Sequence, residues 1–275
     1  LAALVRADGT AQTLPFTQAW TNTGLITAND DWSGVPGIIG YRGDGLAGAT
    51  AVDPQTIVLP GIDGTDLPAG VLDVNANQAN PNTFTTGGVA EFAITDPVVA
   101  LAGSGTARAP FLLIQLITTG QSSIQVAYNL RDIDGSGDNS VQPVALQYRV
   151  GNTGNFTNIP AAFVADASTG PTLATLVTPV SVILPAACDN QPLVQLRIIT
   201  TDAVGSDEWI GIDDISIGPV IVADSAPSVS STSPADNATG VSVGANLSVT
   251  FNEPVNAAAA AFSLSCASST STFHP

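Results

Sequence analysis

Apolar and polar residues alternate along three stretches of the chain. Ile124, Val126, Tyr128 and Leu130 interleave with Gln125, Ala127, Asn129 and Arg131. Val144, Leu146, Tyr148 and Val150 interleave with Ala145, Gln147 and Arg149, and Val194, Leu196 and Ile198 with Gln195 and Arg197. Successive side chains of a strand point to opposite faces, so each stretch predicts an antiparallel strand with one face on a core and one in water. Residues 111–117 (FLLIQLI) are apolar on both faces and predict a central strand. Further strands are expected at 14–20, 37–42, 89–95 and 176–184, punctuated by Gly, Pro, Asn and Asp, with no amphipathic helix between them. About ten strands so spaced predict an all-β fold, an antiparallel jelly-roll-like β-sandwich over residues 14–222. The Gly-, Asp- and Pro-dense region 44–86 reads as long ordered loops at one end of it.

The pattern has one flaw. In residues 207–217, Ile210 and Ile212 share a face, but Ile215 and Ile217 fall on the opposite one if alternation continues. A slip at Asp213-Asp214 predicts a bulge or an inward-pointing carboxylate, which needs a partner; an oxygen-seeking cation is one candidate.

Composition narrows the chemistry. The chain has 23 acidic and 6 basic residues, all six basic ones arginine, for a net charge of −17. Such a surface repels phosphate backbones, which argues against nucleic-acid binding and suits divalent cations. The sole histidine is His274, so a histidine base in the folded body is excluded, as is a lysine Schiff base. No apolar run is long enough to span a membrane. Residues 1–13 form an N-terminal segment, and Leu1-Ala-Ala-Leu-Val is compatible with the tail of a secretory signal.

Within this frame, residues 131–139 pack Asp132, Asp134, Ser136, Asp138 and Asn139 around two glycines, the grammar of a calcium loop; a polar hairpin loop is the alternative. Structural calcium is the expected cofactor. Asp30 and Asp31, beside Trp32, resemble the acids beside Trp209, and neighbouring first and last strands would bring them to Asp213 and Asp214 as a second cation site; solvated loop acids are the alternative. Trp20, Trp32 and Trp209 are candidate sugar-stacking faces if exposed, with core packing as the other use. Cys188 and Cys266 pair as a disulfide or remain buried thiols.

A boundary falls at 223–228. The following stretch, Ser233-Pro-Ala-Asp-Asn-Ala-Thr-Gly-Val-Ser-Val and Leu247-Ser-Val-Thr-Phe-Asn-Glu-Pro-Val255, resembles the opening strands of the bacterial Ig-like domain of S-layer and secreted proteins, with Asn252 where that family has Ser or Thr. A short helical turn is then expected at 256–262. Residues 229–275 amount to roughly half of a typical Ig-like domain of about 100 residues, so either the sequence is cut or a neighbouring chain supplies the missing strands. Separately, Pro15-Phe-Thr-Gln-x-Trp20, residues 29–44, Asn129-Leu-Arg-Asp-Ile-Asp-Gly-Ser136, Gln195-Leu-Arg-Ile-Ile-Thr-Thr201 and Glu208-Trp-Ile-Gly-Ile-Asp-Asp-Ile215 resemble the N-terminal β-sandwich of large secreted bacterial proteins, extracellular endonucleases among them. The resemblance carries no nuclease motif.

These readings lead to a non-catalytic extracellular or cell-surface structural protein. It is expected to bind copies of itself, assembling a filament or layer by strand donation. The alternative is a carbohydrate- or surface-binding accessory module of a larger secreted enzyme.

Overall fold

The computed structural model describes residues 6–59, 72–220, 226–256 and 258. The chain divides into two units, Leu1–Val220 and Ile221–Pro275.

The first unit is all-β, with four single turns of 3-10 helix among its described residues. Its strands, in order, are β1 (Arg6–Ala7), β2 (Gln12–Thr13), β3 (Phe16–Gln18), β4 (Asp31–Trp32), β5 (Ile38–Tyr41), β6 (Asn75–Gln78), β7 (Gly88–Phe92) and β8 (Val98–Ala102). Then come β9 (Phe111–Ile117), β10 (Ile124–Asp132), β11 (Val144–Val150), β12 (Thr157–Asn158), β13 (Val177–Ile183), β14 (Val194–Thr200) and β15 (Ile210–Pro219). One sheet runs β13-β10-β15-β8-β7-β6; the other runs β12-β11-β14-β9-β2. Between them lies a core built from the apolar faces that the alternation marks, Ile124, Val126, Tyr128 and Leu130 from one sheet and Leu146, Leu196 and Ile198 from the other. β9 is central and buried along nearly its whole length, as its two-sided apolarity predicts.

The expected flaw is a bulge. β10 and β15 pair in register from Ile124↔Pro219 to Ala127↔Ser216 and again from Asn129↔Asp213, so Asp214 and Ile215 oppose Tyr128 alone. Asp214 takes φ 50°, and the extra residue lets Ile210, Ile212, Ile215 and Ile217 all face the core. The same point is where the other edge of β15 changes partner, from β8 (Ile210–Ile212) to β3 (Ile215–Ile217). Trp20 fills that junction and donates its indole N–H to the Ile212 carbonyl at 2.7 Å.

Two expectations need correction. The polar faces of β11 and β14 do not meet water: Gln147 and Arg197 are fully buried, and Arg149 and Gln195 nearly so. The reason is that residues 46–57 do not gather at one end. They contribute to a second apolar cluster on the outer face of that sheet, with Ile57, Ala47 and Phe156 against Phe111, Leu113, Ala145 and Ile199. The polar groups beneath must then pair internally. Gln195 joins Gln115 and Arg149, and Arg197 donates to the Gln147 side chain. At the opposite extreme, the edge strand β13 keeps Val177 and Ile183 in solvent and carries Pro179, which blunts it against further pairing.

In the second unit β16 (Val229–Ser233) pairs antiparallel with β17 (Ser248–Phe251). Asn252 accepts a hydrogen bond from the Ser228 N–H at 2.7 Å, which ties the two strands at the position where the Ig-like pattern has Ser or Thr. The helical turn expected at 256–262 lies almost wholly outside the described residues.

Candidate functional site

A pocket of about 380 Å³ opens in the first unit, walled by four loop segments: 81–87, 102–105, 134–138 and 202–209. The loop after β10 is shaped by its own aspartates. Asp132 accepts the Asp134 N–H at 3.1 Å, and Asp134 accepts the Ser136 N–H at 3.0 Å, two consecutive Asx turns. The other Asp132 oxygen accepts the N–H and hydroxyl of Thr169, at 2.6 and 2.7 Å. Gly135 donates to the Asn82 side chain at 2.9 Å, tying this loop to the 81–87 wall.

The loop before β15 is sewn to the first. Glu208 accepts the Ser140 N–H at 3.1 Å, Ser140 donates its hydroxyl to the Val204 carbonyl, and Ile133 donates to the Trp209 carbonyl. Asp202 pairs with Arg108 at 3.1 Å, and Asp207 accepts the Ala203 N–H at 2.8 Å. Gly103 passes so close that a Cβ there would lie 2.4 Å from both the Asp202 backbone and the Asp207 carboxylate. At the inner end Trp209 donates its indole N–H to the Phe84 carbonyl at 2.7 Å and packs against the Phe84 and Phe92 rings.

The pocket is therefore acidic. Burial pushes the Asp207 carboxyl up to about 7, and contact with Asp202 adds to the rise. Burial, then the charge of Asp134, pushes Glu208 up to about 7 as well. A carboxyl whose folded pKa exceeds its ordinary 3.8 holds a proton that the unfolded chain has released, so stability falls as pH rises toward about 7. Asp207→Asn is expected to flatten that fall between about pH 5 and 7.5, read as Tm against pH. An unchanged slope would contradict a protonated Asp207.

The structure gathers some sequence candidates and separates others. Asp134, Ser136 and Asp138 line the pocket, and Asp132 lies just behind. Asn139 sits exposed against Gly170. The acids beside Trp209 meet this loop rather than Asp30 and Asp31. Asp30 accepts from the Val74 N–H, and Asp31 from the Ser33 N–H. β3 does lie beside β15, but Asp213 is paired by the Arg131 guanidinium, and Asp214 accepts from Asn129. The inward carboxylate thus has an arginine as its partner. Trp20, Trp32 and Trp209 are each at most 2% exposed with indole N–H groups bonded to backbone carbonyls, so they serve the core and offer no exposed stacking face. Cys188 is a buried free thiol pushed up to about 12 by burial, and Cys266 lies outside the described residues. The Arg108–Asp202 pair and the Asn82 and Phe84 wall carry no local sequence signal. Among the described residues, no three His, Cys, Asp or Glu side chains converge as a ready metal set. No helix among them is long and apolar enough to cross a membrane.

Residues 223–274 match the family model described as a bacterial Ig-like domain. No curated protein matches the chain. Among solved structures, the carbohydrate-binding module TmCBM61 in complex with β-1,4-galactotriose is 12% identical, with 45% of this chain and 71% of that one covered and a TM-score of 0.30. A carbohydrate-binding module specific for non-crystalline cellulose is 14% identical, covering 52% and 86%, at 0.32. The glycoside hydrolase domain of Endo-D from Streptococcus pneumoniae is 10% identical, covering 50% and 20%, at 0.29. Likeness of this degree carries no argument about what this chain binds.

Proposed function

We propose that the first unit is a non-catalytic carbohydrate-binding module of an extracellular or cell-surface protein, and that a neutral glycan sits in the pocket between the 134–138 and 202–209 loops. The observation that carries this reading is the pocket itself. Its volume of about 380 Å³ falls within the range of small-ligand sites. Its rim holds the Ser104, Ser136 and Ser206 side chains beside four aspartates, Asp134, Asp138, Asp202 and Asp207. Carboxylates accept hydrogen bonds from sugar hydroxyls, whereas uronic acids and phosphates would be repelled.

Placement outside the cell is supported by the bacterial Ig-like match that follows. An accessory role within a larger secreted enzyme is part of this proposal. Assembly by strand donation depends on the sequence after Phe251, most of which is outside the described residues, so no observation favours it over the pocket.

Isothermal titration of the full chain against galactan, cellulose and xylan oligosaccharides, with polygalacturonate as the anionic control, tests the reading. At least one neutral glycan is expected to bind. Ser206→Trp, at an exposed rim position, should weaken that binding about tenfold or more without lowering Tm. Failure of every glycan to bind at millimolar concentration, or unchanged binding by the tryptophan variant, would remove it.

A further inference from the structure

We propose that Glu208 and Asp134 hold a divalent cation, calcium by the chemistry of the donors, between the two loops that frame the pocket. Glu208 is 1% exposed. One of its oxygens accepts the Ser140 N–H, while the other, Oε2, is buried and has no hydrogen-bond partner. The charges that act on it are those of Asp134, Asp132 and Asp138, all negative. Arg131 is committed to Asp96 and Asp213, and Arg108 to Asp202. A buried carboxylate oxygen left unpaired among three acids is costly, and a cation relieves both the desolvation and the repulsion.

Two outcomes of the geometry define the coordination. Both Asp132 oxygens are occupied by backbone and Thr169 donors, so Asp132 orients the loop and does not ligate. That leaves two carboxylates, Glu208 and Asp134, in agreement with the lack of a three-acid group among the described residues. Loop carbonyls, the Ser136 hydroxyl and water complete an all-oxygen shell. Calcium accepts such irregular shells of six to eight oxygens, whereas magnesium demands near-octahedral geometry and zinc prefers nitrogen and sulfur. The proposal stands independently of the glycan reading.

The full chain, stripped by chelator, is titrated with calcium chloride by calorimetry and followed by thermal unfolding. One saturable site is expected, with Tm rising by about 5 °C or more at a hundredfold excess over Kd. Magnesium should give a much smaller shift. Glu208→Gln keeps the shape and the Ser140 contact, so the stripped variant should be at least as stable as the parent while binding calcium about tenfold or more weakly. Should that variant fail to fold, Asp134→Asn takes its place. Terbium bound at the site should luminesce on excitation of Trp209, the residue next to Glu208, and Glu208→Gln should lose that signal. Absence of calcium binding by the parent, equal response to magnesium, or undiminished affinity in Glu208→Gln would each overturn the proposal.

Discussion

Arg197→Ala is expected to lower the unfolding free energy by about 3–5 kcal/mol, the largest loss from any single substitution considered for this chain. Arg197 is fully buried in β14 and, among the described residues, has no carboxylate partner. Its guanidinium is held by the Gln147 side chain and the Ile57 and Leu59 carbonyls, and it stacks over Phe156 at 4.0 Å. Burial pulls its pKa below the ordinary arginine value, so the carbonyl fork and the ring face must offset a real desolvation cost. Truncation leaves a cavity, takes a donor from three acceptors and releases the segment that covers the outer face of the sheet. Lysine is no substitute, because one ammonium cannot reach three acceptors set for a planar fork. Arg197→Lys should still cost about 2 kcal/mol in urea unfolding. A loss below about 1 kcal/mol for Arg197→Ala would show that the covering segment does not depend on this residue.

The second large effect concerns the bulge. Arg131→Met is expected to cost about 3 kcal/mol at neutral pH, because it strands the Asp213 carboxylate, 2% exposed, without its cation. Asp213→Asn should cost less, since Arg131 retains Asp96. The sign with pH follows from burial, which raises the Asp213 carboxyl, while the Arg131 bond and charge lower it. Without Arg131 the carboxyl rises further, so its penalty applies above the new pKa and disappears as pH falls through it. The difference between Arg131→Met and the parent should therefore shrink at about pH 4, measured by chemical denaturation at both values. A difference independent of pH would mean that the loss comes from packing rather than from the stranded charge.

These two residues also mark how far the sequence could be read. The slip between Ile212 and Ile215 is a phase relation within one strand, so the bulge was legible without any tertiary information. Its partner was not: Arg131 lies 82 positions away and looks like any outward residue of an alternating strand. The same limit applies to Gln147, Gln195 and Arg197. Alternation tells which face of a strand is polar, but not whether another segment lies over that face, and residues 46–57 do. At the pocket, the Asp132–Asn139 grammar and the acids beside Trp209 were each visible as local clusters. Their meeting was misjudged, because adjacency of first and last strands suggested Asp30 and Asp31, whereas the β10–β11 and β14–β15 loops come together across about 70 residues of sequence. Trp20, Trp32 and Trp209 were legible as aromatic anchors, and their buried carbonyl acceptors decide for the core.

The internal use of arginine has a consequence for survival. The chain contains no lysine. Of its arginines, Arg131, Arg149 and Arg197 lie within paired strands, Arg108 is tied to Asp202, and Arg42 is tied to Asp44. A protease that cuts after basic residues must draw an extended, accessible segment into its cleft, and the three strand positions present none while the sandwich is folded. In surroundings rich in trypsin-like enzymes, cleavage after Arg131, Arg149 or Arg197 would have to wait for unfolding.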